Sequence, residues 1–244
     1  MKKYWIAVAI GAVVFGLVEY RHARTVQVVS NNLVVLRPQA QSDGGAAQAG
    51  VVAKDLNAGH PFLDTSVLKP PAGAKVAIYE FEDLECPACA RAFPLVHAAA
   101  ARYKIPLERH DYPWFFHIWS MDAAITARYI QDKISPQLAD EFRGDVFAGQ
   151  QQIASKDDLN RFTARWFQAH GQTMPFVMDA GGSCRLEVEL DRALGDRIGV
   201  RSTPCIFVVT QNRWVAVPYS SIGELDRFID AALAESGGKA ATAS

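Results

Sequence analysis

Two cysteines separated by two residues, Cys86 and Cys89, are the side chains of this chain best suited to do chemistry. They follow an apolar and acidic run in the segment YEFEDLECPACARAFPLV at 79–96. A Cys-x-x-Cys pair is a redox-active dithiol, half of a zinc site, or a coincidence of composition. The predicted secondary structure around the two sulfurs, and the presence or absence of further ligands, distinguish these interpretations.

The local sequence favours a redox pair. Pro87 suits the first position of a helix, where its missing N–H costs little, so we expect a helix to begin at the cysteines. Cys86 would then lie at the positive end of the helix dipole, beside free backbone N–H groups that lower a thiol pKa. Cys89, one turn further in, would be buried and have a higher pKa. The two sulfurs would thus divide into an attacking and a resolving thiol.

A zinc site is the main alternative for the pair. A structural zinc site needs four ligands, usually from two such pairs. The other two cysteines, Cys184 and Cys205, lie 21 positions apart, and the histidines show no ligand spacing. We therefore predict no metal, and a redox-active disulfide requires no organic cofactor.

The amino-terminal sequence predicts the compartment. The chain has 244 residues, half of them apolar, and a formal net charge of -1, which gives no reason to expect nucleic acid. Lys2 and Lys3 precede an uncharged apolar run at 4–18. This pattern predicts that residues 1–24 form a signal anchor or transmembrane segment, with secretion after signal cleavage as the alternative. Either places the remaining chain on the extracytoplasmic side, in the periplasm or at the cell surface, where thiols can oxidise.

The rest of the sequence predicts one α/β domain. Residues 25–73 are expected to be a partly disordered linker, and residues 236–244 a disordered tail. Between them, residues 74–235 show the pattern of a strand, a helix, a second strand, a block of helices, a β-hairpin and a last helix. The helical block falls at about 114–198.

Two motifs in this order resemble a known family. The segments FEDLECPAC at 81–89 and GVRSTPCIFVV at 199–209 are similar to those of the DsbA-like thiol–disulfide oxidoreductases of the thioredoxin superfamily. The resemblance covers about residues 75–235 and implies a thioredoxin fold with a helical insertion. It implies that the Cys86–Cys89 pair exchanges disulfides with cysteine-containing protein substrates. It also implies a membrane or thiol redox partner that resets the pair.

The resemblance assigns further residues to the site. It implies that Thr203 and Pro204 lie against the cysteines, with a cis peptide bond before Pro204. Glu80 matches the position of an acidic residue that relays a proton beneath the recessed cysteine, and a buried carboxyl group with a raised pKa suits that role. An exposed acid at the end of a strand remains the alternative for Glu80.

The dipeptide between the cysteines, Pro87-Ala88, departs from the strongly oxidising archetype of the family. That archetype has a histidine where this chain has Ala88. Without an imidazolium beside Cys86 we expect a milder oxidant, or a reductase or isomerase. A redox-sensitive binding or chaperone module without turnover is an alternative of a different class.

Three further groups carry expectations of their own. The acids Glu82, Asp83 and Glu85 are expected on a solvated loop, where their charge would oppose thiolate formation. Cys184 and Cys205 are expected to be buried free thiols, with a structural disulfide between them as the alternative. The aromatic segment at 114–119 is either part of an apolar substrate groove or part of the core.

Overall fold

The computed structural model describes residues 67–237. The predicted signal anchor, most of the predicted linker and most of the predicted tail lie outside these residues. None of the helices within 67–237 is both long enough and apolar enough to cross a bilayer.

Within the described residues, four strands form one mixed sheet in the order β2-β1-β3-β4. The central strand β1 (Val76–Glu82) pairs in parallel with β2 (Leu107–Asp111) and antiparallel with β3 (Cys205–Thr210). Strand β4 (Trp214–Val217) completes a hairpin with β3. Strand β1 is one of the two inner strands, and all of its residues except the half-buried Tyr79 are buried, so both of its faces are covered.

Helix α1 (Pro87–Tyr103) makes the crossover that a parallel pair of strands requires. It continues through Pro94 and packs on the face of β1 that carries Val76 and Ile78. The carboxyl-terminal helix α6 (Leu225–Glu235) lies in the same apolar cluster. These two helices cover one face of the sheet.

The helical insertion lies between β2 and β3. Its helices are α2 (Ser120–Lys133), α3 (Pro136–Gly149), α4 (Lys156–Ala169) and α5 (Ser183–Ile198). The serine before α3 and the serine before α4 each accept a hydrogen bond from the helix that follows, as helix caps do. The core of the insertion is continuous with both cysteines of the pair; its large buried side chains are Trp119, Phe142, Phe147, Trp166 and Phe167. The insertion is therefore packed directly against the predicted site.

The folded part begins before residue 74, where we placed the end of the linker. Leu68 is buried and lies in one apolar cluster with Phe81 and Tyr112. The hydroxyl of Tyr79 donates a hydrogen bond of 2.7 Å to the carbonyl of Lys69. Leu68 and the partly buried Val67 therefore join this stretch to the core, although its two prolines favour a linker.

Candidate active site

The structure places Cys86 at the N-cap of α1. Its backbone is extended, its N–H donates to the carbonyl of Asp83 at 3.0 Å, and Pro87 opens the helix. Cys86 is 9% exposed, whereas Cys89 is fully buried one turn into the helix. The backbone N–H of Asp83 lies 3.5 Å from the Cys89 sulfur. An accessible and a recessed sulfur therefore lie side by side, as thiol–disulfide exchange requires.

The surroundings of the two thiols separate their pKa values. A hydrogen bond from the Cys89 thiol is the largest cause that lowers the pKa of Cys86, to about 5, and backbone N–H groups of Cys89 and Ala88 add to it. Burial opposes this effect. Burial is the largest cause that raises the pKa of Cys89 well above its usual value; the hydrogen bond to Cys86 adds to it, and the backbone N–H of Asp83 offsets it only in part. Cys86 is thus the thiolate at neutral pH, and Cys89 keeps its proton.

The loop before β3 lies against the Cys86 sulfur. The Thr203–Pro204 peptide bond is cis, and the carbonyl of Thr203 lies 3.4 Å from the Cys86 sulfur. The side-chain hydroxyl of Thr203 accepts a hydrogen bond of 3.1 Å from the indole N–H of Trp114. Thr203 therefore joins the cysteines to the segment that opens the helical insertion.

Glu80 lies on β1 and is completely buried. Neither of its carboxyl oxygens has a hydrogen-bond partner among the described residues. Burial, and next the charge of Glu82, raise the pKa of Glu80 to about 8, although Arg109 and Arg143 oppose this. A carboxyl group in this position holds a proton at neutral pH, because burial disfavours its charged form and no hydrogen bond stabilises that form.

The prediction of a solvated acidic loop is wrong. Glu82 and Asp83 are each only 1% exposed. The Asp83 carboxylate accepts hydrogen bonds from the backbone N–H of Trp114 and from Nδ1 of His117, both at 2.7 Å. It also accepts from the hydroxyl of Ser120. These donors compensate the burial of the charge, and none of them is visible in the local sequence.

Glu85 has a structural partner as well. Its Oε2 atom accepts the backbone N–H groups of Trp119 and Ser120, at 2.7 and 2.9 Å. These are N–H groups at the amino terminus of α2, where a negative charge is stabilised by the helix dipole. Asp83 and Glu85 thus tie the loop that precedes Cys86 to the insertion.

A buried arginine of the insertion, Arg143, connects α3 to the strands β1 and β2. Arg143, on α3, is 1% exposed and donates to Oε1 of Glu82 at 2.8 Å. It also holds both oxygens of Asp111, at 2.6 and 3.0 Å. Despite burial, the charge of Arg143, followed by that of Arg128, lowers the pKa of Asp111 to about 2. Nothing in the sequence singles out Arg143, because single charged residues on separate elements give no pattern before the fold brings them together.

A family model described as Thioredoxin matches residues 71–231. The chain belongs to the thioredoxin family. No curated protein matches it in sequence.

Solved structures extend the likeness to the helical insertion of this thioredoxin-family protein. Oxidised BdbD from Bacillus subtilis has 18% identity and a TM-score of 0.54, with 67% of this chain and 90% of that chain covered. ScsC from Proteus mirabilis in a transitional conformation has 16% identity and a TM-score of 0.53, with 71% of this chain and 76% of that chain covered. The thiol-disulfide exchange protein alpha-DsbA2 from Wolbachia pipientis has 16% identity and a TM-score of 0.52, with 67% of this chain and 84% of that chain covered. The predicted thioredoxin-like α/β fold with a DsbA-like helical insertion is therefore confirmed.

The aromatic segment at 114–119 divides between core and surface in this thioredoxin-family chain. Trp119 is buried and donates its indole N–H to the carbonyl of Ile153 at 3.0 Å. Phe115, Phe116 and Ile118 are instead 84%, 59% and 55% exposed. We call these three residues the apolar rim. Phe116 stacks on Trp114 at 5.6 Å, and Trp114 contacts Thr203, so the rim adjoins the cysteine pair.

The remaining two cysteines are separate free thiols, and the alternative of a bridge between them is not formed. Cys184 packs on the insertion with Ile125 and Val188. Cys205 follows Pro204 and packs in the cluster on the other face of the sheet, which contains Phe81. Within residues 67–237, no group of three or more His, Cys, Asp or Glu side chains is arranged to hold a metal ion.

Proposed function

We propose that this protein is an extracytoplasmic thiol–disulfide oxidoreductase that acts on cysteine-containing proteins. The observation that carries the proposal is the pairing of two unlike thiols. Cys86 has a pKa lowered to about 5 and lies against the Thr203 carbonyl, whereas Cys89 is buried with a raised pKa. This difference is what separates an attacking sulfur from a resolving one.

In the oxidising direction, a substrate thiolate attacks the Cys86 sulfur of the Cys86–Cys89 disulfide. The bond between the two cysteines breaks, and Cys89 leaves with the electron pair. Its high pKa requires a proton, which protonated Glu80 supplies. A second substrate thiolate then attacks the substrate sulfur of the mixed disulfide, and Cys86 leaves as a thiolate. The substrate loses two electrons and gains a disulfide, and the enzyme gains both electrons.

The pKa of Cys86 supports an oxidant of intermediate strength. A more stable thiolate stabilises the reduced pair and makes the disulfide a better oxidant. The value of about 5 lies between ~7 in thioredoxin and ~3.5 in DsbA. Since Ala88 supplies no imidazolium, hydrogen bonds alone stabilise the thiolate. Reduction or isomerisation uses the same steps in reverse, and a membrane or thiol redox partner would reset the pair.

The apolar rim supports unfolded polypeptides as substrates. Phe115, Phe116 and Ile118 expose apolar surface beside the attacking sulfur, where a folded protein usually buries such side chains. An unfolded substrate offers apolar side chains next to its cysteines. The same rim favours the second candidate function, a redox-sensitive binding or chaperone module without turnover.

The basic and apolar pattern at 2–18 supports an extracytoplasmic location, with residues 1–24 as a membrane anchor or as a cleaved signal. In that compartment the pair can be oxidised and no organic cofactor is needed. Fractionation of cells that express the full chain, followed by alkaline extraction, tests this part. An anchored protein stays in the membrane fraction, and a cleaved one appears in the soluble extracytoplasmic fraction.

Turnover assays with matched cysteine variants test the activity. The variants are Cys86→Ser and, as the control, Cys184→Ser, which removes a thiol from the insertion. We expect the first to abolish both the reduction of insulin and the oxidative refolding of a reduced protein, and the second to leave both rates unchanged. If the Cys86→Ser protein retains either rate, the proposed enzyme is wrong. If the wild-type protein and both variants bind an unfolded protein equally well and none of the three turns it over, the binding module is favoured.

A further inference from the structure

Two buried carboxyl groups lie on the same face of β1. Glu80 and Glu82 are two residues apart on a strand, so their side chains leave the sheet in the same direction. Glu82 forms an ion pair with Arg143, whose Nη1 atom lies 2.8 Å from its Oε1. Glu80 has no hydrogen-bond partner in the described part of the chain. The two acids therefore lie on one buried face of the strand but have unequal partners.

Charged and titratable groups from β2, α1 and α3 surround this pair, whereas the neighbouring strand β3 contributes apolar side chains to this face. Strand β2 contributes Arg109, which is in register with Glu80, and Asp111, which is in register with Glu82; helix α1 contributes Cys89 and His97, and helix α3 contributes Asp140 and Arg143. Arg109 is itself bound to Asp140 and to His97. Burial, and next the charge of Arg109, lower the pKa of His97 to about 4, so His97 is neutral at pH 7. The direct contact that distinguishes the two acids is the one from Arg143 to Glu82.

We propose that Glu82 and Arg143 are positioning residues that hold the negative charge of the carboxyl pair on Glu82 and the proton on Glu80. Glu80 is thereby the member of the pair that exchanges a proton with Cys89. This inference deepens the proposed function and rests on it for its role in turnover. It makes α3, a helix of the insertion, part of the proton chemistry at the cysteines.

The argument depends on the cost of two buried charges of the same sign. Two carboxylates that share one site do not both ionise, so one negative charge is divided between them. Arg143 contacts Glu82 directly and stabilises the charge there. The pKa of Glu82 is itself raised by burial, against the opposing charge of Arg143. The charge of Glu82 adds to burial in raising the pKa of Glu80.

The link to the cysteines is electrostatic as well. The charge of Glu80 contributes to the raised pKa of Cys89, so the two groups are close enough to interact. When Cys89 leaves as a thiolate, it takes the proton of Glu80, and Glu80 becomes the carboxylate. In the reverse step the carboxylate takes that proton back, and the Cys89 thiolate can attack. Without the charge on Glu82, Glu80 would lose its proton at a lower pH and would be a weaker base.

Carbon-detected NMR of the Glu80 carboxyl group tests the inference without any turnover. The wild-type protein is compared with Glu82→Gln, which keeps the side-chain volume and an oxygen for Arg143 but removes the charge. We expect a midpoint near pH 8 in the wild-type protein. In the variant we expect it to fall by at least about one pH unit. Glu82→Met replaces Glu82→Gln if the latter does not fold, since Arg143 keeps its bonds to Asp111.

The matched control is Glu108→Gln. Glu108 lies on β2 but on the other face of the sheet, where its charge affects Tyr79. We expect this variant to leave the Glu80 midpoint unchanged. The inference is overturned if Glu82→Gln shifts the midpoint no more than Glu108→Gln does, or if Glu80 of the wild-type protein titrates near its ordinary value.

A kinetic readout connects the titration to turnover. The rate at which Cys89 resolves a mixed disulfide on Cys86 should rise with pH, and the midpoint of this rise should equal the NMR midpoint of Glu80. In the Glu82→Gln variant the kinetic midpoint should fall together with the NMR midpoint. If the NMR shift occurs but no form of the protein turns over substrate, the proposed function fails and the charge assignment stands. If turnover is normal and Glu82→Gln leaves both midpoints unchanged, the inference fails and the proposed function stands.

Discussion

Replacing Glu80 with glutamine is expected to remove a pH dependence of folding stability. The folded-state pKa of Glu80 is about 8, whereas the ordinary value is 4.5. Between these values the folded state holds a proton that the unfolded state has lost. The stability contribution is therefore complete below pH 4.5 and falls as pH rises towards 8, by roughly 1.4 kcal/mol per unit. From pH 5.5 to 7.5 the loss is about 2–3 kcal/mol of unfolding free energy.

The measurement needs a background without the redox cysteines. Reduced Cys86 has the opposite slope, because its pKa falls from 9.0 to about 5 on folding and its contribution to stability grows with pH. The parent protein for the comparison would therefore carry Cys86→Ser and Cys89→Ser, and the variant would carry Glu80→Gln in addition. Urea unfolding followed by tryptophan fluorescence gives the free energy of each protein at each pH.

The comparison is between slopes, so a constant loss from imperfect packing of glutamine cancels. Between pH 5.5 and 7.5 the parent protein should lose about 2–3 kcal/mol relative to the Glu80→Gln variant. Parallel curves would mean that Glu80 is ionised in the folded state. The assignment of Glu80 as a buried proton carrier would then be wrong.

Three further predictions concern the cysteine pair, the buried arginine and the apolar rim. Cys89→Ala removes the largest cause of the low pKa of Cys86, so the alkylation midpoint of Cys86 should rise from about 5 by at least about one unit. Arg143→Met leaves buried carboxylates without their partner and should lower the unfolding free energy by about 3–5 kcal/mol in urea titrations. Phe116→Ser should reduce kcat/KM for an unfolded protein several-fold but leave the reaction with glutathione unchanged.

Exposed residues supply the controls. Arg102→Met breaks an ion pair with Asp226 whose side chains are 54% and 41% exposed, and should cost less than about 1 kcal/mol. Leu190→Ser removes an exposed apolar side chain from α5 and should not affect turnover of the unfolded protein. Equal effects of Arg143→Met and Arg102→Met, or of Phe116→Ser and Leu190→Ser, would contradict the roles given to Arg143 and to the rim.

The parts of the site that the sequence predicts are those with local causes. Pro87 marks the start of α1 through its own backbone, and this places Cys86 at the helix end. The alternation along β1 puts Glu80 on the face with Val76 and Ile78, so its burial could be expected from spacing. The order of the two motifs then identifies the family and its fold.

The parts that the sequence does not predict depend on contacts between distant elements. The sequence predicts a solvated loop for Asp83 because acids are usually exposed, but the partners of Asp83 include Trp114 and His117, more than thirty positions away. Arg143 contacts Glu82 across 61 positions. Whether a charge is buried depends on whether the fold brings a partner to it, and neither periodicity nor composition encodes that.

Trapping the mixed disulfide tests the central claim most directly. The Cys89→Ser protein is mixed with a peptide that contains a disulfide, quenched with acid at a series of pH values, and analysed by mass spectrometry. We expect one peptide adduct, located on Cys86, with a rate that rises with pH as the Cys86 thiol loses its proton. An adduct located on Cys184 or Cys205, or no adduct at any pH, would contradict the assignment of Cys86 as the attacking sulfur.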